Sequence, residues 1–298
     1  MDQKNNRFQS GFVTIIGRPN VGKSSLMNKM IGEKIAIVSS RPQTTRSRIM
    51  GILSRPDHQI VFLDTPGIHN PRTKLGEYMM HSVKEAMDGT DIVLVILDIT
   101  HLTENDLKIA SEMAGKKTPV IIALNKIDLV NPEQILSATA KISETGCEEI
   151  IPVSARTGDG TEILTECLKK HLPSGPHYFP DDYITDQPER ILCAEIIREK
   201  ALRHLHDEVP HGIGVEIMKI EALSERLTEI NATIYCERDA HKGIIIGKQG
   251  SMLQTIGSEA REDIERLLDT HVNLKLWVKI RPGWRNNSAD LKNLGYND

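Results

Sequence analysis

Gly17-Arg18-Pro19-Asn20-Val21-Gly22-Lys23-Ser24 sets two glycines ahead of a lysine and a hydroxyl. At that spacing the backbone curls until its N–H groups, and the N-terminus of a following helix, face phosphate oxygens. Lys23 would lie along the β- and γ-phosphates of a nucleotide, and the Ser24 hydroxyl would ligate Mg²⁺. Asp64-Thr-Pro-Gly67 adds an acidic residue for the Mg²⁺ shell, acting through water, and an N–H at Gly67 for the γ-phosphate. Alone that tetrapeptide is common turn chemistry. Downstream of a phosphate loop the functional reading is preferred.

Asn125-Lys126-Ile-Asp128 reads as a base selector. Guanine presents N1–H and N2–H₂ side by side, and one carboxylate accepts both; adenine has no matching donor pair. Asp128 would therefore choose guanine, Asn125 would tie the loop to base and phosphate loop, and the Lys126 stem would lie along the ring. Ser154-Ala155-Arg156 offers backbone amides to the guanine O6, a signal that would mean little by itself.

The elements that must position these groups alternate strand and helix. Strands are expected at Phe12–Ile16, Ile35–Val38, Ile49–Leu53, Ile60–Leu63, Ile92–Leu97, Val120–Leu124 and Ile150–Val153. Helices are expected at Lys23–Ile31, Lys74–Met87, Glu104–Ala114, Pro132–Ile142 and Thr161–His171. Several strands are apolar on both faces, as in a mostly parallel sheet covered by helices, and such doubly wound domains bind ligands at the carboxyl ends of their strands. Each motif follows a strand.

At 298 residues the chain has room for two cores. Charged residues at 26% and hydrophobic ones at 39% exclude wholesale disorder, and a formal charge of -4 excludes nucleic-acid binding by bulk positive charge. Four scattered cysteines, without C-x-x-C, argue against a disulfide framework and a structural zinc site, and fit a reducing cytosol. Residues 1–7 are polar and lack the apolar stretch of a signal peptide.

Four prolines, Pro173, Pro176, Pro180 and Pro188, preclude a regular element, so a domain boundary is expected there. Beyond it the order reads α-β-β-α-β: a helix over Glu189–His204, strands over Gly214–Ala222 and Thr228–Glu237, a helix over Ser251–Leu268 and a strand over His271–Ile280. The short apolar run ending at Ile246 leads into Gly247-Lys248-Gln249-Gly250, directly before the second helix. A G-x-x-G loop lets phosphates of a single strand approach closely, and Lys248 adds charge. In the last strand Leu274, Leu276, Val278 and Ile280 alternate inward, leaving Lys275, Trp277, Lys279 and Arg281 on one face. Basic residues interleaved with an aromatic suit single-stranded RNA; the plain alternative is a solvated strand face with a half-packed Trp277.

The ordered nucleotide motifs resemble the GTPase branch of P-loop proteins. Arg18-Pro-Asn-Val-Gly22 and Arg41-Pro-Gln-Thr-Thr-Arg46 narrow the resemblance to the Era-type family, and the second half resembles a type II KH domain. The resemblance implies an α/β, doubly wound GTPase domain with a mostly parallel sheet over 1–174, and a linker over 175–190. An α+β type II KH domain over 191–284 and a tail over 285–298 follow. It implies GTP or GDP with Mg²⁺ as ligands, and a switch loop within Ser39–Arg48. A threonine of that loop would hold Mg²⁺ and γ-phosphate: Thr45, with Thr44 as rival. Lys23, Thr45 and Gly67 would carry the chemistry, with Ser24, Thr45 and Asp64 around the metal.

Asn20 sits where related GTPases hold K⁺, so K⁺-stimulated hydrolysis is expected. Ile68 stands where Ras-like enzymes carry a water-orienting Gln, so intrinsic hydrolysis should be slow or rely on another group; Arg46 and Arg48 could neutralise transition-state charge or be solvated surface residues. The family's partners are the 3′ end of 16S rRNA and the 30S subunit, in a cytoplasmic and monomeric protein. A rival reading is a membrane-associated signalling switch at the inner face of the cell membrane, as some family members occur there. The sequence shows no lipidation motif or basic amphipathic helix for it.

Overall fold

The computed structural model describes residues 8–39, 41, 44–68, 71–206 and 209–296. The expectations for residues 1–7, for Ser40, Pro42 and Gln43 of the switch segment, and for residues 297–298 of the tail lie outside them. The chain divides into two compact units. One holds the described residues of 1–36, 45–69 and 79–186, the other those of 37–44, 70–78 and 187–298.

In the first unit β1 (Gln9–Ile16), α1 (Lys23–Ile31), β2 (Ile49–Arg55) and β3 (His58–Asp64) come first, then α2 (Lys74–Met87), which belongs to this unit from Met79 on. β4 (Ile92–Asp98), α3 (Glu104–Ala114), β5 (Val120–Asn125), α4 (Pro132–Ser143), β6 (Glu149–Pro152) and α5 (Thr161–His171) complete it. The sheet order is β2-β3-β1-β4-β5-β6, with β2 antiparallel to β3 and every other neighbour parallel. Every residue of β3 and β4 is buried. Leu26, Met27, Leu164 and Leu168 of α1 and α5 pack one face, and Val83, Ile109 and Ile142 of α2, α3 and α4 pack the other. Strands covered on both sides have no polar face, which is why they read as continuous apolar runs. β1, β3, β5 and β6 all end at one edge, and each motif begins there.

One expected strand does not form. Ile35–Val38 runs as irregular backbone, although Ile35 and Ala36 are buried in the core. Asn28 on α1 supplies the missing partner: its Oδ1 accepts from the N–H groups of Ile35 (3.2 Å) and Ala36 (3.0 Å), and its Nδ2 donates to the Ala36 carbonyl at 2.7 Å. With those groups satisfied, burial requires no neighbouring strand.

The proline-rich segment forms no helix or strand, yet it is fastened to the first unit as far as Asp186. Gln59 Oε1 accepts from the N–H groups of Tyr178 and Phe179, at 2.9 and 3.1 Å. The Ile52 N–H donates to Ile184 O at 2.9 Å, so the segment covers the free edge of β2.

The second unit holds α6 (Glu189–His204), β7 (Gly214–Ser224), β8 (Leu227–Cys236), α7 (Asp239–Ile246), α8 (Ser251–Leu268), β9 (His271–Ile280) and α9 (Ser288–Asn293). β8 is central, antiparallel to β7 and parallel to β9. Ile196, Ile197, Ile256, Ala260 and Ile264 bury one face of α6 and of α8 against Ile230, Ala232 and Ile234.

Two readings change here. A helix, α7, occupies the stretch read as a short apolar run; it contains Gly243 and three isoleucines, all weak helix formers, and is held by complete burial of Ile245. Ile280 is 39% exposed rather than inward. Beyond β9, Trp284 closes the expected KH stretch fully buried, with its indole N–H on Gly212 O at 3.0 Å, and Leu291, Leu294 and Tyr296 of the expected tail are buried too.

Candidate functional site

The loop from Gly17 to Gly22 enters α1 through Gly22, at φ 100°, with no side chain capping the helix. The N–H groups of the first turn are left for a ligand, and the helix dipole favours an anion there. Lys23 is buried and its ammonium turns back onto the carbonyls of Gly17 (3.1 Å) and Arg18 (3.0 Å). Burial pulls it down to about 8, partly offset by Asp64. Gly67 is a matter of close approach: a Cβ there would lie 2.7–2.8 Å from Pro19 atoms, so only glycine lets this turn reach the phosphate loop. The Ile68 N–H donates to Gly17 O at 3.1 Å, and its half-buried side chain offers nothing to water.

Ser24, Thr45 and Asp64 meet. The Ser24 hydroxyl lies 2.5 Å from Asp64 Oδ2 and 2.9 Å from the Thr45 hydroxyl, which donates to the same oxygen at 3.3 Å. Asp64 is fully buried, and its Oδ1 has no hydrogen-bond partner. Burial pushes its carboxyl up from the ordinary range, partly offset by Lys23 and the two hydroxyls. An orphaned, buried carboxylate oxygen beside two hydroxyls is a donor set for a hard cation, so these residues fit Mg²⁺. Thr44 turns its hydroxyl to Arg41 O at 2.7 Å instead.

Among the residues expected to meet the base, Asn125 joins two loops: its Nδ2 donates to Val21 O at 2.8 Å and its Oδ1 accepts from the Ala155 N–H at 3.0 Å. Lys126, at φ 71°, reaches Asn20 O at 3.1 Å and Asp98 Oδ2 at 2.5 Å. Ser154 and Arg156 both hold Asp128, at 2.6 and 2.8 Å. Arg18 differs from expectation in what its side chain does. It forms a two-point pair with Asp106, each contact at 2.7 Å, leaving only its backbone to the phosphates. Burial works against the Asp106 carboxylate, but Arg18 and Thr103 more than offset it and hold it low. Asp98 and Asp106, which position Lys126 and Arg18, carry no sequence signal beyond ending β4 and sitting in the first turn of α3.

In the second unit Gly247 takes φ 74°, where a Cβ would lie 2.6 Å from Met252 Cβ. Lys248 and Gln249 turn the loop, and Gly250 caps α8 in the left-handed region without a side-chain hydrogen bond. Ile246 is the last residue of α7. Beside Gly250 opens a groove of about 370 Å³ lined by Leu253, Gln254, Gly257, Arg261, Leu274 and Leu276. Sequence reasoning missed this groove; two small residues, Gly257 and Ser258, in mid-helix were the available signal. Lys275, Trp277, Lys279 and Arg281 are not brought to it, because alternation puts them on the strand's opposite side from Leu274 and Leu276. Lys275 is held by Glu229 at 2.5 Å and Arg281 by Asp290 at 3.0 Å, while Trp277 is 46% exposed.

Residues 12–126 match the family described as 50S ribosome-binding GTPase, and residues 208–285 match the KH domain family. The chain is 50% identical over 295 residues to GTPase Era of Clostridioides difficile, covering 98% of this chain and 99% of that one. It is 51% identical over 292 residues to GTPase Era of Alkaliphilus metalliredigens, covering 97% and 99%. A crystal structure of Era in complex with MgGDPNP and nucleotides 1506–1542 of 16S ribosomal RNA is similar at a TM-score of 0.93 and 38% identity, covering 98% of this chain and 100% of that one. An Aquifex aeolicus Era variant bound to GDP·AlF4⁻ reaches 0.93 at 37% identity, with coverage of 98% and 100%. The Gly17–Ser24 loop, the Asn125–Asp128 turn and the G-x-x-G loop thus occur together in a chain that belongs to the Era family of GTPases, with a C-terminal KH domain.

Proposed function

We propose that this GTPase binds the 3′ end of 16S ribosomal RNA through its KH domain and acts in assembly of the 30S subunit. The observation that carries the reading is the uncapped N-terminus of α8 behind Gly247–Gly250, opening beside a groove of mixed polar and apolar lining in a chain that also holds a guanine-nucleotide site. The phosphate backbone of a single strand would lie on the loop, and unpaired bases would enter the groove. The 16S fragment in the crystal complex of the similar Era supports the choice of RNA.

In the nucleotide site Gly17, Arg18, Pro19, Asn20, Val21 and Gly22 would wrap the phosphates, mostly through backbone. Lys23 would neutralise charge on the β- and γ-oxygens. Ser24 and Thr45 would hold Mg²⁺, with Asp64 acting through water, and the bound ion supplies charge stabilisation to the transferring phosphoryl group. The Gly67 N–H would meet the γ-phosphate; Asn125, Lys126, Asp128, Ser154 and Ala155 would enclose guanine, with Arg156 at its rim. Because Ile68 cannot orient water, hydrolysis is slow. Asn20 would hold K⁺ beside the phosphates, and equal turnover in K⁺ and Na⁺ buffers would refute that. The division of labour follows a GTPase domain over 1–174 and a KH domain over 191–284, in a monomer.

The test is crosslinking to total cellular RNA with wild type and a variant carrying Gly247→Asp and Gly250→Asp. A discrete footprint at the small-subunit RNA 3′ end, lost in the variant, is expected. A footprint elsewhere, or none, would overturn the proposal. Among the described residues no helix is long and apolar enough to cross a membrane, and nothing in the site favours the membrane-switch reading.

A further inference from the structure

On the first unit, away from the nucleotide loops, three side chains of different chemistry converge. Cys167 and His171 lie four residues apart on α5, which puts both on one face of that helix. Glu149 opens β6, beneath them. The Cys167 thiol donates to Glu149 Oε2 at 3.4 Å, and His171 Nε2 lies 3.5 Å from Oε1. One ligand atom from each residue falls within 4.8 Å of the other two; among the described residues no other group does so.

We propose that Glu149, Cys167 and His171 form a site for a divalent transition-metal ion of the Zn²⁺ type, with a fourth position open to water. A tetrahedral Zn²⁺ with one sulfur, one nitrogen and one oxygen ligand has ligand-to-ligand edges of about 3.4–3.6 Å. Sulfur and nitrogen each lie near that distance from the Glu149 carboxylate, 3.4 Å from Oε2 and 3.5 Å from Oε1, so a turn of the carboxylate brings one oxygen to both. The sulfur-to-nitrogen edge closes when the His171 ring, whose side chain is 33% exposed, turns toward the sulfur. A thiolate, an imidazole and a carboxylate together select a borderline ion rather than Mg²⁺ or Ca²⁺, which take oxygen ligands. The site is therefore chemically separate from Ser24, Thr45 and Asp64. The ion takes the place of the thiol proton, which leaves to solvent, and the Cys167 sulfur binds as thiolate.

The geometry assigns the ion a fastening role. It joins the amino end of β6 to the last turn of α5, whereas the guanine loop at Ser154 follows the carboxyl end of β6. Occupancy stabilises the unit without touching the phosphates.

The full chain, saturated with GDP and Mg²⁺ so that the nucleotide site is filled, is titrated with Co²⁺ alone. A thiolate-to-metal charge-transfer band saturating at one equivalent, and displaced by Zn²⁺, is expected. Cys167→Ser should abolish the band, and His171→Ala should weaken Co²⁺ binding at least about tenfold. GTP turnover should stay unchanged in both. No band in wild type overturns the proposal, as does a band that persists in Cys167→Ser, which would place the ion on Cys147, Cys193 or Cys236. If Cys167→Ser does not fold, His171→Ala decides, because its exposed ring is dispensable to the core; unchanged affinity there overturns the site.

Discussion

Arg156 closes on Asp128 with 2.8 Å between its guanidinium and Oδ2, one of the two oxygens of the carboxylate proposed to select guanine. Ser154 holds the other oxygen at 2.6 Å, so the carboxylate is aimed while each oxygen keeps a lone pair for a further donor. The Arg156 side chain is 71% exposed, and exposed ion pairs contribute about 0–1 kcal/mol. Arg156→Ala should therefore change GDP affinity by less than roughly fivefold. Asp128→Asn removes the double acceptor and should weaken GTP binding by roughly a hundredfold while favouring XTP. GDP titration measures the first, and competition between GTP and XTP the second.

Trp284 lies at the end of the stretch expected to be the KH domain, and it is fully buried against Gly212 and Tyr296. Trp284→Ala should destabilise the second unit by about 3–5 kcal/mol. Urea unfolding followed through KH-domain amide resonances should show an early transition there, with GDP binding retained by the first unit.

The groove and the basic strand face make opposite claims on RNA. Arg261 lines the groove, whereas Lys275 is already neutralised by Glu229. Arg261→Glu should weaken binding of a single-stranded 16S 3′-end oligonucleotide about tenfold, the loss of one charge-assisted contact. Lys275→Ala combined with Lys279→Ala should change it less than threefold, roughly the worth of exposed charges. The reverse ranking would move the RNA to the other face of β9.

Asp57 predicts a slice of acid sensitivity. A hydrogen bond from Lys169, and then one from His58, hold its carboxyl down at about 2 against an ordinary 3.8. A depressed carboxyl contributes stability that is fully present above the unfolded value and lost as pH falls through the folded one. Asp57→Asn should thus flatten the pH dependence of the melting temperature between about pH 4 and pH 2. A carboxyl NMR titration gives the folded value directly, and a midpoint near 3.8 would contradict the pairing.

Much of the molecule was legible in its residues because phosphate, guanine and Mg²⁺ each demand particular groups at strand ends. Helices with a clear period, such as α2 and α8, were equally legible. Where packing overrides local preference, the reading failed. Gly243 and three isoleucines argue against a helix, yet burial of Ile245 makes one. Ile35–Val38 looks like a strand until Asn28, seven residues earlier, takes over its hydrogen bonds. Alternation in β9 told which side chains share a face but not which face borders a groove, since that depends on where α8 lies. Glu149 and Cys167 are 18 residues apart, and only the placement of α5 beside β6 makes them neighbours.

The Asn28 amide has a mechanical consequence. It tethers residues 35 and 36, just ahead of the expected switch loop, to the helix whose N-terminus is proposed to cradle phosphate, so they travel with that helix as one piece. Any loosening on γ-phosphate loss must begin beyond this anchor, and a side chain too short to reach, as in alanine, would lengthen the free loop from its root.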